Sequence, residues 1–182
     1  MHLTAMAPMR CSRLTLAAAA LVALSSCSMF DNSKQYPCPL VGVSRETSTL
    51  TLFRPGNGRD LTDVVFSGGI KDAKIDCSYS SSGVDITLGV RVGGELGPAA
   101  TSRTATIPYF IAIVDPSRNI LAKEVFTQSV VFPPNTSQAS SYEETAEHIP
   151  LPKNQSAQRY GIAVGMQLTP EQLEYNRNRI LH

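Results

Sequence analysis

The chain has 182 residues, with 16 basic against 15 acidic side chains and three histidines, for a formal net charge of +1. Charged residues make up only 17% of it and none of them form a basic block, so binding along a polynucleotide has no electrostatic support. The length suits one domain with a single core.

Residues 14–27 read LTLAAAALVALSSC; Arg10 and Arg13 precede them, and no acidic residue occurs before Asp31. A basic start, an apolar stretch of about eleven residues and a small-residue step make a secretory leader, too short for the roughly 20 residues of a membrane-spanning helix. Leu24-Ser25-Ser26-Cys27 resembles the bacterial lipobox. The resemblance implies cleavage between Ser26 and Cys27, lipid on the Cys27 sulfur and acylation (palmitate) of the new N-terminus. Each buried methylene contributes about 0.8 kcal/mol and one chain binds only reversibly, so two or three chains make the anchor lasting. In enterobacterial lipoproteins an aspartate directly after the cysteine favours the inner membrane. Ser28 stands there, and by resemblance it favours the outer membrane, facing the periplasm. A start at Met9 would give the leader more usual proportions without altering the mature chain.

Loss of residues 1–26 leaves 156 residues, with 14 basic against 15 acidic side chains. Cys11 goes with the leader and Cys27 is lipidated, so Cys38 and Cys77 remain. In an oxidising compartment this pair reads as a disulfide closing a loop of about 40 residues, worth roughly 4 kcal/mol on the chain-entropy model. The alternative is two separate buried thiols. Residues 27–40 are expected to form a short tether, since the eleven steps from Cys27 to Cys38 span about 40 Å at most and Pro37 and Pro39 favour extended chain. The domain, expected over 41–182, then rides close to the membrane.

Beyond the tether, short apolar alternations are separated by turn residues. Thr49–Phe53 alternates and is stopped by Arg54-Pro55-Gly56-Asn57-Gly58. Asp63–Phe66 is a short run before Gly68-Gly69, and Ala73–Tyr79 alternates through Ile75, Cys77 and Tyr79. Val84, Ile86, Leu88, Val90 and Val92, two apart, predict a strand with one buried face. Gly93–Pro98 reads as a hairpin loop. Ile107–Val114 is nearly continuously apolar, as in a central strand, and the turn Asp115–Asn119 leads to a return strand from Ile120 to Phe132. Pro133-Pro134-Asn135 ends that hairpin, a polar loop runs through Ser141, Tyr142–Leu151 holds a further strand, and Tyr160–Leu168 alternates again.

One helix is expected, over about 170–181. Thr169 suits the N-cap, Pro170 the first helical position and Gln172 the capping box. Glu171 and Glu174 near its start and Arg177 and Arg179 near its end complement the helix dipole. Seven or eight short strands with regular turns predict an antiparallel β-sandwich, with a closed barrel as the alternative. The architecture resembles immunoglobulin-like or fibronectin type III-like modules, although the chain has no tryptophan and the cysteine pair does not fall on two central strands. The Arg54-Pro55-Gly56 turn, Leu168–Leu173 and Tyr175-Asn176-Arg177 resemble poorly characterised envelope lipoproteins of proteobacteria, a resemblance that implies no activity.

Catalytic patterns are sparse. No Gly-x-Ser-x-Gly elbow occurs. Glu143, Glu144 and Glu147 cluster with His148 in sequence, a set able in principle to serve a hydrolase or a metal, though a solvated face explains it better. Asn57, Asp60 and Asp63 depart from the alternate-residue ligands of a calcium loop and read as turn chemistry. The expectation is therefore a non-catalytic binding or scaffolding module without cofactors, touching membrane lipid through its N-terminus and an envelope protein through its sheet edges. A cell-wall or other periplasmic hydrolase built on His148, and a small-ligand carrier, are the alternatives.

Overall fold

The computed structural model describes residues 36–56 and 58–180, so the leader, the Ser26–Cys27 step and the Cys27 lipid site lie outside the described residues. The chain is mainly β, with eight strands among the described residues: β1 Leu40–Val43, β2 Thr49–Phe53, β3 Val64–Tyr79, β4 Gly83–Leu96, β5 Thr104–Val114, β6 Ile120–Val131, β7 Gln138–Pro150 and β8 Gly161–Met166. They form two four-stranded sheets in the orders β1-β8-β5-β6 and β2-β3-β4-β7, arranged as a sandwich. The helix α1, Pro170–Ile180, follows β8. All strand pairs are antiparallel except β1 with β8.

The predicted alternation in β4 is obeyed: Val84, Ile86, Leu88, Val90 and Val92 are all buried. Opposite them, Ile107, Tyr109 and Ile111 of β5 and Ile162, Val164 and Met166 of β8 complete the core. β5 lies between β8 and β6, the interior position its apolar run predicts.

Three expectations give way. The runs at 63–66 and 73–79 belong to one sixteen-residue strand, β3. A bulge between Ile70 and Asp72 reverses its phase, so that Phe66 and Ile70 face the core before it and Ala73, Ile75, Cys77 and Tyr79 after it. Gly93 and Gly94 are not in a hairpin loop. They lie in β4, paired with Gly69 and Gly68 of β3. A Cβ on Gly68 would stand 2.4 Å from the Phe66 ring and one on Gly94 2.7 Å from it, so these glycines make room for an aromatic ring that packs edge-on to Phe132. The polar stretch expected as a loop through Ser141 ends earlier, because β7 begins at Gln138 and pairs with β4 from Glu95 onward.

The capping box at α1 forms as predicted: the Gln172 backbone N–H donates to Thr169 Oγ1 at 3.3 Å, and the Thr169 N–H to Gln172 Oε1 at 2.9 Å. The helix lies on β2 and on the helical turn Arg45–Thr47. Tyr175 meets Phe53 edge-on at 5.3 Å, and Arg177 Nε donates to Glu46 at 3.0 Å.

Candidate functional site

At one end of the sandwich, called here the lower end, β3 stops and β4 begins, β5 stops and β6 begins, and β1 and β8 start. The Cys38–Cys77 disulfide is formed there. It ties the residues just before β1, in the first sheet, to β3 in the second. The Tyr79 hydroxyl donates to the Pro37 carbonyl at 2.8 Å and accepts the Ala157 N–H at 3.0 Å, while Tyr36 donates to the Asn154 carbonyl at 3.1 Å. Tyr36 and Tyr79 also pack with ring centres 5.4 Å apart. Residues 36–39 are thereby held to the body, although the sequence reads them as part of the tether.

The histidine and glutamates on β7 do not converge. Strand alternation puts Glu144 and His148 on one side and Glu143 and Glu147 on the other. His148 Nδ1 is 2.8 Å from Asp85 Oδ1, its register partner on β4, in a half-exposed pair. Glu144 accepts the Tyr142 hydroxyl at 2.8 Å; that hydrogen bond, then desolvation and the Glu144 charge, raise the phenol's pKa. The Arg91 guanidinium sits 5.0 Å over the same ring. Glu143 is exposed on the edge strand but on its inward side, and its charge adds to burial in raising the pKa of Tyr109, with a Thr145 hydrogen bond offsetting part of the rise. Among the described residues, no three metal-ligating side chains come together.

Asp60 and Asp63 perform the turn chemistry expected of them; Asn57 lies outside the described residues. The buried Asp63 carboxylate accepts the Asp60 N–H at 3.2 Å and pairs with Arg54. Nearby, a cleft of about 530 Å³ opens between β2 and α1, flanked by Phe53 and Tyr175. Arg59 lines it, its guanidinium 5.3 Å over Phe53 and its Nε donating to Glu171 at 3.1 Å.

The two sheet edges on the far side differ in chemistry. β7 carries Glu143, Glu144 and Glu147, charges that discourage a further strand. β6, twelve residues long, has only Lys123 and Glu124 as charges, and Ile120, Leu121, Val125 and Val131 are exposed on it. Sequence reading treats this strand as half of a hairpin and does not single out its free edge; the clue available was the run of apolar residues on both of its faces. No family model matches the chain, and neither a curated protein nor a solved structure matches it.

Proposed function

We propose that the protein is a lipid-anchored periplasmic lipoprotein of the outer membrane, held at Cys27, whose sandwich is a non-catalytic binding or scaffolding module for another envelope protein. The β6 edge carries this reading. Among the described residues no strand pairs with it, and it offers a long row of backbone donors and acceptors beside exposed apolar side chains, the arrangement that accepts an added strand. On this reading an extended segment of the partner pairs with β6, its backbone supplying the hydrogen bonds and Val125 and Val131 selecting apolar side chains. We take the likeness to immunoglobulin-like or fibronectin type III-like modules as one of layered architecture, not of strand order.

Photo-crosslinking in intact cells tests the reading. A crosslinking residue at Thr127, on β6, is expected to trap an envelope protein, and one at Thr87, on the outer face of β4, is not. Equal trapping at both sites, or none at either, overturns it. The anchor has its own measurement, incorporation of radiolabelled palmitate into the wild-type chain and its loss in Cys27→Ser.

A further inference from the structure

We infer that the lower corner of the first sheet is the surface with which the domain rests on the membrane, and that its ligand is the headgroup region of an anionic bilayer. The inference rests on the anchoring at Cys27 proposed above, and it adds an orientation and a lipid preference.

The register sets out the corner. Leu40 of β1 pairs with Gly161 of β8, Gly161 with Val114 of β5, and Val114 with Ile120 of β6, one row across all four strands. Ile162 and Ile113, the neighbours of Gly161 and Val114, belong to the core, so the row faces outward. A bulge between Ile113 and Val114 sets Leu121 beside Ile120 as an extra residue. Leu40, Ile120 and Leu121 are 75%, 63% and 56% exposed. Leu40 at one edge of the sheet and Ile120 and Leu121 at the other, with the part-buried Val114 in the row between them, leave a band of apolar side chains across this end that gains from entering an apolar boundary.

Charge complements it. Arg118 in the β5–β6 turn, Lys123 on the outer face of β6, and Lys153 and Arg159 in the connection to β8 are all exposed. Among the described residues the acidic groups on this side are Glu124 and Asp115; Asp115 is engaged by Asn119, which donates to it from its backbone at 2.8 Å and from its side chain at 2.9 Å. Arg159 lies close enough to Asp115 to act on it electrostatically. Asp76 and Asp85 lie on the outer face of the other sheet, since their neighbours Ile75, Cys77, Val84 and Ile86 pack into or against the core. Exposed aliphatic side chains and cations at the same end of a sheet are the composition of surfaces that lie on anionic lipid.

Chain length supplies the orientation. From Cys27 to Tyr36 there are nine steps, about 32 Å at full extension. Tyr36 is held at the lower end by its bond to Asn154 and by the disulfide two residues on. A lipid anchor so near brings that end to the bilayer, and Leu40 comes within four residues of it. The upper half of β6, from Val125 to Val131, stays clear for a partner strand.

The test uses the lipidated full-length protein in vesicles of phosphatidylethanolamine and phosphatidylglycerol carrying a nitroxide-labelled quencher lipid. An environment-sensitive fluorophore is placed at Leu121→Cys in one preparation and at Gln138→Cys, at the upper end, in another. The expected result is quenching several-fold stronger at position 121, weaker in phosphatidylcholine vesicles and reduced to the position-138 level by the triple change R118E, K153E and R159E. All of these positions are exposed, so the core is untouched. Equal quenching at the two positions, or quenching at 121 that the charge reversals leave unchanged, overturns the inference. Palmitate incorporation, measured on the same protein, separates the two failures: unlabelled protein removes the anchor reading, whereas labelled protein with equal quenching removes only the orientation.

Discussion

The buried side chain of Asn176, on α1, donates from Nδ2 to the Thr49 carbonyl at 2.8 Å and to the Glu46 carbonyl at 2.9 Å. Both acceptors lie some 130 residues earlier in the chain, at the start of β2 and in the turn before it. The helix has no clean apolar stripe, and this fork, with the Tyr175–Phe53 contact, fixes how it docks. Asn176→Ala leaves two carbonyls unsatisfied and is expected to cost about 1–3 kcal/mol. Urea unfolding measures the loss, and hydrogen exchange should show α1 opening before the sheets. A variant as stable as the parent, with α1 equally protected, would refute the role.

The disulfide constrains the unfolded chain across a separation of 39 residues. Replacing both Cys38 and Cys77 by alanine is expected to lower stability by about 2–5 kcal/mol, read as a lower thermal midpoint. Non-reducing mass spectrometry should recover the two cysteine peptides linked. Free thiols in the mature protein would remove the staple.

Gln128 of β6 is fully buried, and neither polar atom of its side chain has a hydrogen-bond partner among the described residues. A buried, unmade hydrogen bond costs about 1–3 kcal/mol. Gln128→Met keeps nearly the same volume and removes that cost, so the variant is expected to be more stable by a similar amount. A lowered midpoint in thermal unfolding would contradict this.

Tyr109 titrates above the ordinary tyrosine value of about 10. Burial is the main cause and Glu143 the second. The folded state therefore holds this proton more tightly than the unfolded state does. The associated stability is complete below about pH 10, the unfolded pKa, and is lost as pH rises through the higher folded value. Tyr109→Phe should flatten that alkaline loss, measured as the change of urea midpoint between neutral pH and pH values above the ordinary tyrosine pKa. An identical slope in both proteins would show that Tyr109 does not contribute.

Much of the fold is legible one segment at a time. Val84 to Val92 announce a strand with one buried face because side chains alternate with period two. Thr169, Pro170 and Gln172 announce a helix start because capping is satisfied within four residues. The continuity of β3 was hidden by the bulge at Lys71, which shifts the apolar phase halfway along. The early part of β7 was hidden because Ala139, Ser140 and Ser141 are small or polar on an edge strand that buries little. At the candidate sites the same limit applies: the glutamates beside His148 in sequence are split between two faces of β7, and its partner proves to be Asp85, 63 residues away.

By itself the sequence determined what is local: which stretches are extended, where the helix begins, and which two cysteines could pair. Which edges remain open and which exposed side chains share a row follow only from how the strands assemble. Leu40 and Ile120 stand eighty residues apart in the chain and share one row of the sheet only because β8, parallel to β1, and β5, antiparallel to both β8 and β6, lie between them. Such adjacency depends on the order in which strands pair, and the period of a strand carries no record of its neighbour.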